Sequence, residues 1–516
     1  KGIEEIVVNQ TGSGCNSDIP PTITIDGDGE SAELQAVVTA VGSIDKVNII
    51  NSGNGYTKNP RVILSHPQVF KKTDYFVGLL ENDDITKIND IFVTDDKKSY
   101  VCGTTKNAAG DTDIAFVAKF SANGTIEWQK TIVNSTGLDY TEFVKLYVDG
   151  NEIWVAGQTK PNDSVVDAYN PDIMLVKYTE ADNGLSATLN WQKAYAGISG
   201  STRADHITAL EKYSDTRFLI GGFTNTNSGN PYDAFIASID TSGNFAIKRK
   251  LSSANASEKL TAMKVVGTDI YFVLETADNA STTNVNLAFG KAQLGTSAIV
   301  TSYIKQVVNS VYSFGNTSLS FDEFNEFYVA GDLTLKSDGT TRDSFWVGKF
   351  DIDGDLLWNK RYVTGSTIEL APISSIDIFN DFNIAFTKTD DTTGQKIIEN
   401  VKIKYDGTFL KRTSTDFNIN NVEGLSVHGM TTDNSGDVYL AGQTSWNRNE
   451  FIFTFNDNTA TDITNHYTAT VLIGSYGEES LDIEDNVAKI KADDALTGRI
   501  RAVDNIDDSY GEIVTV

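Results

Sequence analysis

The sequence predicts an all-β fold, a seven-bladed β-propeller with small flanking β modules, and three recurring features predict it. A strand ending in a small residue and glycine recurs at Tyr100-Val101-Cys102-Gly103, Trp154-Val155-Ala156-Gly157, Leu219-Ile220-Gly221-Gly222, Tyr328-Val329-Ala330-Gly331 and Tyr439-Leu440-Ala441-Gly442. An Asp-led apolar strand follows at Asp113 to Phe120, Asp172 to Tyr178, Asp233 to Ile239 and Asp343 to Phe350, with a looser copy at Ile397 to Tyr405. A glycine turn and a Trp-x-Lys strand then close the unit at Trp128-Gln129-Lys130, Trp191-Gln192-Lys193 and Trp358-Asn359-Lys360. The marker glycines lie about 55 residues apart or about twice that, the period of a four-stranded blade. Two copies without the glycine, Tyr271-Phe272-Val273-Leu274 and Asn383-Ile384-Ala385-Phe386, fill the double intervals and bring the count to seven.

The sharpest unit runs from Asp343 to Lys360. Phe345 to Phe350 and Leu356 to Lys360 are strands, and Asp353-Gly354 between them is a strong hairpin signal. A strand precedes each marker, as Phe143 to Val148 precedes Trp154, and completes four strands per unit. Solenoid repeats are shorter and more uniform than this, so a ring is favoured. The propeller is placed at residues 71–476. Asp74 to Leu79 reads as a late blade strand that closes the last blade, whose own late strands are expected at Phe451 to Phe455 and Thr468 to Ile473.

Residues 1–70 carry a repeat of their own. Val8 to Cys15 is echoed by Ile49 to Tyr56, and each copy continues to a proline and alternating apolar residues, Pro21 to Ile25 and Pro60 to Leu64. With strands expected at Ala32 to Thr39 and Val47 to Ile50, this reads as a small all-β module of two half-repeats. Residues 477–516 form an acidic C-terminal β element or arm, with strand patterns at Val487 to Lys491, Gly498 to Val503 and Gly511 to Val516.

Among 516 residues, 70 are acidic and 42 basic, a formal net charge of -28 that repels phosphate backbones and argues against nucleic acid as a partner. No apolar run approaches the roughly 20 residues a membrane span needs. The chain begins Lys1-Gly2-Ile3 without an initiator Met or signal-peptide pattern, so a processed chain or a segment of a longer protein is expected. Cys15 and Cys102 fall in different modules and read as unpaired thiols of a protein made in a reducing cytosol.

The segment Gly53-Asn54-Gly55-Tyr56-Thr57-Lys58-Asn59-Pro60 resembles a repeat of structural proteins of tailed bacteriophages, especially large virion proteins of marine phages. The first copy departs from it, with Cys15 in the tyrosine position and an extra residue before Pro21. The blade pattern also resembles the repeat of pyrroloquinoline-quinone dehydrogenases and related scaffold propellers. That enzyme branch needs neighbouring cysteines or an equivalent platform, and no adjacent cysteines exist here, so this likeness bears on fold.

Chemistry has few footholds. Asp351, Asp353 and Asp355 place oxygens at alternate positions, as calcium loops do, but the glutamate at loop position twelve is absent and turn chemistry is the competing reading. His66, His206, His428 and His466 are scattered without metal-ligand spacing. No Gly-x-Ser-x-Gly elbow or phosphate-binding loop is present. Trp128, Trp191 and Trp358 recur at one blade position, which points to packing between blades. Trp446 and Tyr169 fall in loops and are the candidate recognition residues.

The resulting expectation is a protein without catalytic residues or cofactor: a structural component of a phage virion, of its tail or baseplate, present in many copies. Other virion proteins and a host surface glycan or receptor are the expected partners, with the propeller as a rigid platform. The alternative is a bacterial surface or extracellular adhesin. A third is a propeller enzyme, acting on polysaccharide or as a quinone-dependent dehydrogenase.

Overall fold

The computed structural model describes residues 2, 3, 6, 23–26, 29–39, 44–56, 61–64 and 71–77, most of 87–456, and strands at 469–473, 479–484, 487–489 and 512–515. Within 87–456 the connections 107–112, 123–125, 133–137, 162–171, 196–204, 226–231, 252–255, 279–284, 365–367, 369–372, 377–379, 390–395, 416–424 and 445–449, with 338, 340, 341 and 435, lie outside that description. No helix occurs among the described residues.

The N-terminal region holds β1 (Ile23–Asp26), β2 (Glu30–Val38), β3 (Ile44–Asn54) and β4 (Arg61–Leu64). β1 pairs with β4 and β2 with β3, both antiparallel. Gly53 and Gly55 of the Gly-x-Gly-Tyr segment have φ of 63° and 87°, the left-handed region glycine enters freely. The first copy of that repeat, at Val8 to Cys15, lies outside the described residues.

After β5 (Lys71–Val77) come six antiparallel meanders of four consecutive strands, the fourth and fifth of them extended by later strands into larger sheets. The first is β6 (Lys87–Val93), β7 (Ser99–Lys106), β8 (Asp113–Phe120) and β9 (Ile126–Ile132). The second is β10 (Leu138–Asp149), β11 (Glu152–Pro161), β12 (Asp172–Glu180) and β13 (Ala187–Tyr195). The third is β14 (Asp205–Ser214), β15 (Arg217–Asn225), β16 (Tyr232–Asp240) and β17 (Phe245–Leu251). The fourth is β18 (Ala256–Val266), β19 (Asp269–Asp278), β20 (Val285–Leu294) and β21 (Ile299–Val308). The fifth is β22 (Tyr312–Phe321), β23 (Phe327–Leu335), β24 (Ser344–Phe350) and β25 (Leu356–Val363). The sixth is β26 (Ile373–Ile376), β27 (Phe382–Thr389), β28 (Lys396–Ile403) and β29 (Phe409–Thr415). The protein is thus an all-β propeller, and the two copies without the marker glycine are β19 and β27.

The expected seventh unit is not a consecutive blade. β30 (Leu425–Thr432), β31 (Val438–Thr444) and β32 (Glu450–Asn456) pair with β5, in the order β30-β31-β32-β5. The expectation of seven blades is therefore corrected to six, beside a further sheet in which the strand near Asp74, expected to complete the last blade, pairs with β32. The cause is the path of the chain after β32. β33 (Ala469–Ile473), expected to be a late strand of the last blade, instead pairs with β25, two blades back. β34 (Glu479–Glu484) and β35 (Val487–Lys489) continue that sheet, and β36 (Glu512–Thr515) pairs with β21. The expected strand at Gly498 to Val503 lies outside the described residues.

Burial follows position within each blade. β24 reads Ser344-Phe345-Trp346-Val347-Gly348-Lys349-Phe350 and is buried at every residue, because a third strand has a sheet on both faces. Outermost strands are half open, as β13 is. Each junction between consecutive blades buries one apolar cluster. Trp154 of the second blade stacks on Phe218 of the third at 4.0 Å, and Tyr328 of the fifth on Phe382 of the sixth at 5.1 Å. Burying one such ring is worth about 1.5–3 kcal/mol, so these junctions dominate the fold's stability. Tyr439 and Ala441 of β31 share a cluster with Ile88, Ile91, Val101 and Phe116 of the first blade, so the mixed sheet also packs there.

Candidate functional site

The first strands β6, β10, β14, β18, β22 and β26 of the six blades pack side by side, and β30 of the mixed sheet lies beside both β26 and β6. Six of them break register at one place: between Ile88 and Asp90, Phe143 and Lys145, Ile207 and Ala209, Leu260 and Ala262, Gly315 and Ser318, and Val427 and Gly429. A bulge sharpens the local twist, which strands converging on an axis require. It also leaves side chains at the inserted positions free of the alternation, and these reach the next blade. Asn89 Nδ2 donates to the Phe143 carbonyl at 2.7 Å, Thr208 Oγ1 donates to the Leu260 carbonyl at 2.7 Å, and the Thr261 and Thr317 hydroxyls bond each other.

Beside these bridges the axis is ionic on one side and hydroxylic on the other. Lys145 pairs with Asp90 at 3.3 Å, Lys87 with Glu142 at 3.4 Å, Lys212 with Asp149 at 2.5 Å and Lys264 with Glu211 at 3.2 Å, each across a blade junction. Burial raises the Glu211 carboxyl, opposed by Lys264, and the carboxylates of Glu211 and Asp90 help raise the Lys264 ammonium, against burial. Among the fifth and sixth blades and the mixed sheet, Ser320 meets Ser374 at 2.9 Å, Ser375 meets Thr432 at 3.2 Å, and Thr432 donates to the Ile376 carbonyl at 2.9 Å.

His428, at the bulge of β30, has its Nε2 2.9 Å from Ser426 Oγ. A serine beside a histidine resembles a nucleophile and its base. Burial, with the Lys87 ammonium, pushes this imidazole down to about 3. A base held that low is a poor proton acceptor at neutral pH. His206 has its Nδ1 3.0 Å from Gln158 Oε1, its ring stacks on Phe223 at 4.7 Å, and burial and Lys259 lower it too.

Asp351, Asp353 and Asp355 lie together in the turn between β24 and β25. Asp351 Oδ1 accepts the backbone N–H of Asp353 at 3.0 Å and of Asp355 at 2.8 Å, and Asp355 pairs with Lys305 of the preceding blade at 2.7 Å. Asp240 accepts from Ser242 and Asn244 in the same way, in a turn without the acid cluster. Among the described residues no group of three or more His, Cys, Asp and Glu could hold a metal ion. Trp446 and Tyr169 lie outside the described residues, as do His66 and His466. In the sequence Tyr169 falls between β11 and β12 and Trp446 between β31 and β32.

The recurring tryptophans lie between blades. Trp128 Nε1 donates to Glu180 at 2.7 Å, Trp191 Nε1 to the Thr241 carbonyl at 3.2 Å and Trp358 Nε1 to the Tyr405 carbonyl at 2.8 Å, each in the next blade. The turn glycine of that next blade seats the ring. A Cβ on Gly243 would come within 2.7 Å of Trp191, and one on Gly407 within 3.0 Å of Trp358. In the fourth blade Tyr303 takes this place, against Gly354. The glycine turn is visible in the sequence; its role as a seat is not.

No family model matches the chain, and no curated protein matches it. Solved structures do. A protein of unknown function from Dyadobacter fermentans aligns over 75% of this chain and 99% of its own at 9% identity and a TM-score of 0.42. The acylaminoacyl peptidase of Pyrococcus horikoshii aligns over 77% of this chain and 57% of its own at 12% identity and 0.41. An α-L-arabinanase of Penicillium chrysogenum, complexed with arabinobiose, aligns over 77% and 99% at 9% identity and 0.40. Likenesses this distant carry no argument about activity.

Proposed function

We propose that the chain is a non-enzymatic scaffold, a structural component of a phage virion in its tail or baseplate, with the propeller as a rigid platform for neighbouring subunits or a host receptor. The observation that carries the scaffold reading is the axis. Its lysines and carboxylates are engaged with each other across blade junctions, so they stitch the ring instead of facing a substrate. The depressed His428 argues in the same direction. In this reading the mixed sheet serves as a seventh blade. It is supported by the cluster joining β31 to the first blade and by Lys97, which pairs with Asp437 at 2.7 Å.

The virion assignment rests on the resemblance of Gly53 to Pro60. Its partners would be other virion proteins, bound in many copies, and a host surface glycan or receptor met by the loops that carry Trp446 and Tyr169. Gold-labelled antibody to this protein, applied to purified particles, tests it. Label at a fixed place on the tail is expected, and label found only on free protein would overturn the assignment.

A further inference from the structure

We propose that the junction of the third and fourth blades holds a sugar-acid site, in which His206, Tyr232 and Lys259 bind the carboxylate and hydroxyls of one uronic-acid ring. His206 of β14 stands opposite Phe223 of β15 and stacks on it at 4.7 Å. Tyr232, at the start of β16, meets Phe223 edge-on at 5.0 Å. Lys259 of β18, in the fourth blade, holds its ammonium 4.5 Å from the Tyr232 ring centre and 5.4 Å from that of Phe223. All four side chains are half-buried, so four strands of two blades converge on one patch that solvent reaches.

The polar tips of this patch are uncommitted. His206 Nδ1 lies 3.0 Å from Gln158 Oε1, an oxygen that only accepts, so Nδ1 carries the proton and Nε2 presents a lone pair. Burial and the Lys259 ammonium lower this imidazole, which keeps it neutral at neutral pH. His206 Nε2, the Tyr232 hydroxyl and Lys259 Nζ make no hydrogen bond or ion pair among the described residues, and none of them is sealed from solvent. Lys259 thereby departs from Lys87, Lys145, Lys212 and Lys264, each of which meets a carboxylate of another blade. Glu275, which faces Lys259 across the β18–β19 ladder, accepts the backbone N–H groups of Asn316 and Thr317 instead. An unpaired ammonium calls for an anion, a lone pair for a hydroxyl donor, and a phenol for either role. A peptide carboxylate or a free anion would answer only the first of these. A uronate carries all of them on one ring, and its C–H face suits the apolar edges of Phe223 and Tyr232.

The site deepens the reading of a host glycan as partner but is independent of the virion assignment, because binding is measured on the isolated full chain. Failure here leaves the place of an antibody label on particles untouched. Calorimetry at one ionic strength uses methyl glucuronide, methyl glucoside, in which a hydroxymethyl replaces the carboxylate, and acetate, which lacks the ring. Saturable binding of the glucuronide is expected, with the glucoside and acetate about tenfold weaker or more. Lys259→Gln should weaken the glucuronide about tenfold or more, and Tyr232→Phe, which keeps the ring and removes the hydroxyl, several-fold. Both variants should melt within about a degree of the wild type, since each change is at a half-exposed tip. Glucoside or acetate bound as tightly as the glucuronide, no binding of any probe, or an unchanged affinity in folded Lys259→Gln would overturn the proposal.

Discussion

The indole N–H of Trp128 donates to the Glu180 carboxylate at 2.7 Å, across the junction of the first and second blades. The same carboxylate accepts the Tyr100 hydroxyl at 2.8 Å and the Lys119 ammonium at 2.9 Å. One residue of the second blade thereby satisfies three buried groups of the first, and Lys119 is only 3% exposed. Truncating Glu180 should therefore cost far more than a surface ion pair. Glu180→Ala is expected to lose about 3 kcal/mol in urea unfolding, the low end for a broken buried pair because Glu127 stays within 3.3 Å of Lys119. Glu180→Gln keeps an acceptor and should lose about 1–2 kcal/mol. A loss below about 0.5 kcal/mol for the alanine variant would deny the bridge.

The tryptophan seats predict a graded series. Trp128 is 6% exposed and Trp358 only half-buried. Trp128→Ala should cost about 3–5 kcal/mol and Trp358→Ala somewhat less, about 2–4 kcal/mol. Gly407 has φ of 78° and seats Trp358, so Gly407→Ala should destabilise on both counts. Thermal melts of the three variants check the order. Small, equal shifts would mean the rings do not lie between blades.

Trp446 falls in the sequence between β31 and β32, and on the expectation that it is a recognition residue Trp446→Ala should leave the melting temperature within about a degree, a change under about 0.5 kcal/mol. If the loop end of the ring meets a receptor, the same variant should weaken attachment of particles to host cells about tenfold or more. Unchanged attachment would remove Trp446 from the recognition surface.

His428 gives the fold an acid limit. Its folded value, about 3, lies below the ordinary histidine value of 6.5. The unfolded chain therefore binds the proton first, and stability falls as pH drops from 6.5 toward 3, by roughly 3–5 kcal/mol in all. Glu211 and Asp332 act oppositely. Burial raises both carboxyls, so each contributes stability at low pH that is lost as pH rises through its folded value. Comparing pH profiles of wild type and His428→Phe isolates the histidine. The difference between them should change across pH 3 to 6.5 and stay flat above it; a flat difference throughout would contradict the burial of this ring.

Much of this architecture is legible in the sequence because blade strands repeat a local pattern. The third strands announce themselves at Asp113 and Asp343 by continuous apolar runs, and the turns by Asp-Gly. That the strand near Asp74 joins the last strands is legible too, and the structure pairs β5 with β32. The path of residues 469–515 is not. A short strand such as Ala469 to Ile473 carries no mark of the edge it will join, since any outer strand offers the same backbone groups. The axis is equally silent. Lys145 of β10 and Asp90 of β6 meet across a blade junction, which is a tertiary relation. Of the calcium-like spacing Asp351, Asp353 and Asp355, Asp351 accepts two N–H groups of its own turn, a relation that the spacing alone does not reveal.

The pairing of the N-terminal β5 with β32 is the central structural claim, and a pair of truncations tests it most directly. A chain starting at residue 71 keeps β5 opposite β32, with Phe451 facing Val77 and Phe453 facing Tyr75; a chain starting at residue 87 loses it. The first should unfold in one cooperative transition near the full chain's temperature. The second should melt several degrees lower and lose amide-exchange protection first in β30, β31 and β32, whose edge is then unpaired. Equal melting temperatures, with β30 to β32 equally protected in both, would contradict that pairing.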